Sequence, residues 1–163
     1  MKKIEIAFVG CSKTKTCTSP SGYTAARDLY TSDLFRKRVE YVERKGMPWY
    51  ILSAKSGLIS PTVALRNYNE TLADLSCTEI AEWHLDVANS LMTELIYEFK
   101  GPKLSDVTIE FHAGSRYCEP LGSILKIFGV NIRKPVANLG IGKQLAFYSE
   151  QNMEATNEVH LPI

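Results

Sequence analysis

The chain has 163 residues, 45% of them hydrophobic and 23% charged. That is the balance of a folded globule, and at this length one domain is expected because two would each lack core. Nineteen Lys and Arg face 18 Asp and Glu, a net +1, which excludes a globally basic nucleic-acid binder. Residues 1–45 still hold ten basic and five acidic side chains, and residues 70–110 two and nine, so one face can meet an anion.

No apolar run nears the roughly 18 residues of a membrane helix. The N-terminus enters a strand pattern without the apolar stretch of a signal peptide. A cytoplasmic protein is expected, bacterial or, if phage-encoded, in the host. Cys11, Cys17, Cys77 and Cys118 form no CxxC pair. Reduced, unpaired thiols are expected, with no metal and no other cofactor.

Ile4-Glu5-Ile6-Ala7-Phe8-Val9 is short, apolar and β-branched and halts at Gly10, the pattern of a buried strand. A polar loop from Cys11 to Tyr23 follows. Thr31-Ser32-Asp33 starts a helix that Phe35, Val39 and Val42 make amphipathic and Gly46 stops. Trp49 to Ala54 reads as the second strand. Ser76 and Glu79 form a capping box, and Ile80, Trp83, Val87, Leu91, Leu95 and Phe99 hold one face of a long helix that Gly101-Pro102 ends. Val107 to His112 is the third strand, with a turn at Gly114. Leu121, Ile124, Leu125 and Phe128 mark a helix closed by Gly129, and a short strand follows at 131–134. Gly140 and Gly142 open a final helix through Leu145 and Tyr148, and periodicity fades after Gln151. The expectation is one three-layer α/β domain over residues 1–150, with a mostly parallel, Rossmann-like sheet and a loosely ordered tail over 151–163.

Polar residues collect after each strand. Cys11, Ser12, Lys13 and Lys15 follow the first; Ser53, Lys55 and Gly57 the second. His112, Gly114, Arg116 and Tyr117 follow the third, and Gly140, Gly142 and Lys143 the fourth. In a parallel sheet all four groups share the carboxyl edge, where such sheets bind ligands. Glycines and small hydroxyls there let main-chain N–H groups approach an anion, and the cations balance its charge. Cys11 reads as a small buried residue or as a nucleophile. Lys55 follows so apolar a strand that partial burial would suit it to base or imine chemistry, unless it makes an ion pair at the sheet edge. His112 is a core histidine or a ligand contact; His84 and His160 receive no role. Tyr30, Tyr68 and Tyr117 lie in turns near the edge, where together they would make a stacking wall for a base. Gly140-Ile141-Gly142-Lys143 matches neither full nucleotide-loop motif.

Taken together, several segments resemble a widespread bacterial and phage domain family of unknown function. They are Cys11 to Lys15, Ala26 to Phe35, Leu52 to Pro61, Tyr68 to Leu72, Ala113 to Tyr117 and Leu139 to Leu145. That family is more distantly similar to the YaaA peroxide-stress proteins and to the core domain of archaeosine synthase, through Cys11, Ser12, Lys13, Ser53, Gly57 and Tyr68. The chain departs from that pattern at Ser56 and at Arg66-Asn67. The resemblance implies an enzyme directed at a nucleobase or nucleotide, including a modified base in nucleic acid; the catalytic candidates are Cys11 and Lys13, and Lys55 from its place after the second strand. The alternatives are a non-catalytic DNA-binding protein of the YaaA type and a nucleotide-binding phage or defence protein. The expected partner is a nucleotide, nucleobase or nucleic acid, and no membrane.

Overall fold

Apolar strands alternating with amphipathic helices build a three-layer α/β arrangement. The computed structural model describes residues 3–16 and 19–158, with main chain alone for 155–158. In chain order the elements are β1 (Ile4–Gly10), β2 (Tyr23–Ala25), α1 (Ala26–Leu29), α2 (Asp33–Arg44), β3 (Trp49–Ser53), β4 (Gly57–Ile59), β5 (Ala64–Arg66), α3 (Cys77–Tyr97), β6 (Val107–His112), α4 (Ser115–Ile127), β7 (Asn131–Arg133) and α5 (Ile141–Glu158).

The central sheet runs β4-β3-β1-β6-β7, parallel except for the β3–β4 hairpin. Leaving out β4, the chain leaves β1 toward β3 on one side and returns to β6 on the other. The topological switch point therefore lies between β1 and β6. This is the flavodoxin-like variant of the doubly wound sheet. Register sets Val9 beside His112 and Gly10 beside Leu52, so all four loops singled out in the sequence do share the carboxyl edge.

Alternation along the strands splits the core in two. Ile6, Phe8, Leu52, Ile109 and Phe111 pack under α3 and α4, while Ala7, Val9, Trp49 and Ile51 pack under α2 and Tyr148 of α5. Phe8 meets Phe111 edge to face at 5.6 Å. The caps are those expected: Phe35 N donates to Ser32 Oγ at 3.2 Å, and Ser76 and Glu79 exchange both bonds of their box. Among the described residues no helix is long and apolar enough to cross a membrane.

The structure departs from the sequence reading in four places. β2 and β5, to which the sequence reading assigned no strand, form an antiparallel ribbon beside the main sheet. Gly57 starts β4 with φ +68°, a left-handed conformation that permits the tight β3–β4 turn. The fourth helix begins at Ser115, well before its apolar stripe, and holds Pro120 inside it. The last helix continues through residue 158, so the part of the expected loose tail up to there is helical. Cys17 and His160 lie outside the described residues.

Candidate functional site

At the switch point β1 and β6 approach each other closely. A Cβ on Gly10 would stand 2.8 Å from Ala113 Cβ and 3.2 Å from its Cα, so only glycine fits there without moving main chain. Cys11 follows, its N–H donating to Leu52 O at 3.0 Å and its Sγ 3.4 Å from the Tyr117 hydroxyl. Tyr117 enters from the first turn of α4 and packs edge-on against Trp83 at 5.5 Å. Trp83 in turn donates its indole N–H to Ser53 O. A chain of hydroxyls continues from there. Ser53 Oγ is 2.8 Å from Tyr68 OH, which is 2.6 Å from Tyr30 OH, and Ser56 N donates to Ser53 Oγ.

Lys15 closes this group, its Nζ 4.4 Å above the Tyr68 ring. A bridge between Lys15 and Tyr30 pins the loop there. Burial pulls the Lys15 pKa below that of a free lysine, and a negative charge at Cys11 opposes that shift. Burial likewise raises the hydroxyls of Tyr68 and Tyr117, and that of Tyr30 to about 12, so all three stay protonated at neutral pH.

Several expected roles change in this geometry. Tyr30 is 1% exposed, and Tyr68 lies under Lys15 and edge-on to Tyr30. Tyr30 and Tyr68 meet through a hydroxyl and an edge, and Tyr117 turns to Cys11 and the Trp83 ring, so the expected stacking wall does not form. Lys55 is exposed, not partly buried, and pairs with Glu70 at 3.1 Å. His112 is 0% exposed with both ring nitrogens engaged, which removes it from ligand contact. Ser12 bonds Thr14 O within its own loop, and Lys13, Arg116 and Lys143 are exposed and lie in no ion pair among the described residues.

A cavity of about 280 Å³ opens beside this cluster, between the start of α4 and the 134–139 turn. Gly114 caps α4 with no side chain bonded to the helix end, no acidic residue in the first turn, and open space where a Cβ would stand. Lys134 reaches in, paired to Glu119 at 2.9 Å, and Leu139 and Gln144 form the far wall. Gly140, Gly142 and Lys143 are exposed at the start of α5 and do not line this cavity.

Beneath the same strand ends lies a polar network that the sequence reading missed. Arg38 of α2 is 6% exposed and donates Nη2 to Gln144 Oε1 at 2.7 Å. Tyr148 OH is 2.7 Å from His112 Nδ1, and His112 Nε2 is 3.0 Å from Glu110 Oε1. A carboxylate only accepts, so Nε2 carries the proton and Nδ1 accepts from Tyr148. Burial lowers the His112 pKa, against the pull of Glu110, and the ring is neutral. Glu110, held ionised by His112, Lys45 and Arg133 despite burial, anchors the chain. One signal was available: alternation in Val107-Thr108-Ile109-Glu110-Phe111-His112 puts Glu110 and His112 on one strand face. Arg38 carried none, since a lysine-like position in an amphipathic helix reads as solvated. Among the described residues no group of three or more His, Cys, Asp or Glu converges as a metal site would require.

These features define a doubly wound α/β domain whose polar groups meet at the switch point of its sheet. The chain belongs to a family of unknown function, DUF6884, which matches residues 6–150. Neither the curated proteins nor the solved structures contain a match to it.

Proposed function

We propose that this protein is an enzyme acting on a nucleobase or nucleotide at the carboxyl edge between β1 and β6. The carrying observation is the meeting of Cys11 and Tyr117, with Lys15 held over the Tyr68 ring nearby, beside the uncapped start of α4. A thiol, a phenol and a partly buried ammonium group combine a nucleophile with two proton donors, and the helix start favours a negative group. In this reading Cys11 is the nucleophile and Lys15 the acid/base, in place of Lys13 and Lys55. Lys13 and Arg116 lie at the rim, where exposed cations draw in an anionic ligand. The base-directed part rests on the resemblance of the Cys11 and Leu52-to-Tyr68 segments to YaaA proteins and archaeosine synthase.

The test pairs calorimetry with mass spectrometry, using the four ribonucleoside 5′-monophosphates. Saturable binding with little salt dependence is expected, along with a product that Cys11→Ala no longer makes while still binding. Absence of mononucleotide binding, with steeply salt-dependent affinity for DNA instead, overturns the reading in favour of a DNA-binding protein.

A further inference from the structure

Arg38 is a cation in search of a counter-ion. Its side chain is buried, its Nε has no partner, and no carboxylate lies within 4.0 Å of it among the described residues. A buried charge is costly unless an opposite charge or a full set of hydrogen bonds answers it. The network's own carboxylate, Glu110, lies beyond Tyr148 and His112 and is shared by His112, Lys45 and Arg133. The guanidinium faces the switch point. Nη1 lies 3.6 Å from where a Cβ of Gly10 would stand, and Nη2 holds Gln144, which lines the cavity at the start of α4.

We infer that the uncapped N-terminus of α4 and Arg38, which stands behind the Gln144 wall and not in the cavity's lining, form a subsite for a phosphoryl oxyanion at the cavity between Gly114 and Gln144. The inference deepens the proposed function and rests on it for the rest of the ligand. Three features serve the same group. The first-turn N–H groups of α4 are free of any side-chain cap, and such ends bind anions. Gly114 leaves open the space a side chain would fill. Lys134 balances Glu119, the carboxylate on the cavity wall, so the wall is not repulsive. Tyr148 contributes from behind. It donates to His112 Nδ1 and lies close enough to Arg38 to favour its charged form. The Glu110-His112-Tyr148 chain therefore positions the guanidinium without touching the ligand.

The full chain is titrated at fixed ionic strength with inorganic phosphate and with pyrophosphate, followed by calorimetry and by the amide signals of Ser115 and Arg116. Saturable binding that shifts both amides is expected. Gly114→Asp supplies the missing cap with a carboxylate, so this variant melts at or above wild type yet binds about ten- to a hundredfold more weakly. Arg38→Gln weakens binding by a similar factor; if it does not fold, Gly114→Asp alone decides. Arg27→Ala, an arginine paired with Glu43 away from the site, binds as wild type. No saturable phosphate binding, or equal binding by Gly114→Asp, overturns the subsite. If phosphate binds but nucleoside monophosphates do not compete with it, the nucleotide reading fails and the subsite stands. If monophosphates bind equally well to Gly114→Asp, the subsite fails and the nucleotide reading stands.

Discussion

Acid should destabilise this protein well before its carboxylates titrate, and His84 should account for a separable share. His84 lies on α3, 1% exposed, with the Trp83 ring at 4.9 Å and neither ring nitrogen hydrogen-bonded. Pro120 has no N–H to give Arg116 O four residues earlier, and the Arg116 main chain is the nearest answer to the imidazole. That offset is incomplete, and burial lowers the His84 pKa. His112 is lowered likewise, burial outweighing Glu110. With folded values below the unfolded value, the unfolded chain binds more protons once the pH drops beneath about 6.5. Stability is then complete above that pH and falls as pH decreases toward the folded values. Each histidine contributes a slope of at most about 1.4 kcal/mol per pH unit in that window. Both side chains are buried, and solvent screening does not reduce the effect.

The assay is urea denaturation followed by circular dichroism between pH 5 and 8. His84→Leu should cut the acid-side slope and match or exceed wild-type stability at pH 8, because an apolar group replaces unsatisfied polar atoms. Glu110 is held below the ordinary glutamate value, so its contribution is lost only at lower pH, outside the measured range. An unchanged slope in His84→Leu refutes the assignment. A loss of several kcal/mol at pH 8 would mean that a ring nitrogen has a partner after all.

Gly10→Ala should cost about 1–3 kcal/mol, because the new methyl meets Ala113 main chain; adding Ala113→Gly should restore part of it in a double-mutant cycle of urea midpoints. Lys13→Ala and Arg116→Ala should melt within about 0.5 kcal/mol of wild type, since both are exposed and in no ion pair among the described residues, yet bind the monophosphate more weakly by calorimetry. Among the described residues Cys11, Cys77 and Cys118 are free thiols, and denaturing titration without reductant should count four in the whole chain. Of these three, exposed Cys77 should react before Cys118, whose thiol is buried and pushed up to about 11.

The four parallel strands and the long helices α2, α3 and α5 were legible because each carries its own periodicity, whereas β2, β4 and β5, of three residues each, are too short to show one. The caps at Ser32 and Ser76 are local hydrogen bonds between residues three apart, written in the chain itself. Placing four polar loops on one edge needed only the inference of a parallel sheet. Contacts between distant residues were not legible. Nothing near Arg38 announces that Gln144, 106 positions away, will accept its proton-bearing Nη2. For Lys55 the apolar strand left partial burial and an ion pair at the sheet edge both open, and the hairpin turn decides for the pair, with Glu70. The tyrosines were rightly read as neighbours, but their orientation was not, since a ring's face and edge are set by what packs around it. Period and bonds within a few residues settle β1, β3, β6 and β7, the starts of α2 and α3 and the edge that holds the polar loops, but not the short strands β2, β4 and β5 or the start of α4. Only the tertiary structure decided which charges are buried, which rings are covered and which helix start is left open, because each of those depends on groups brought together by long-range packing.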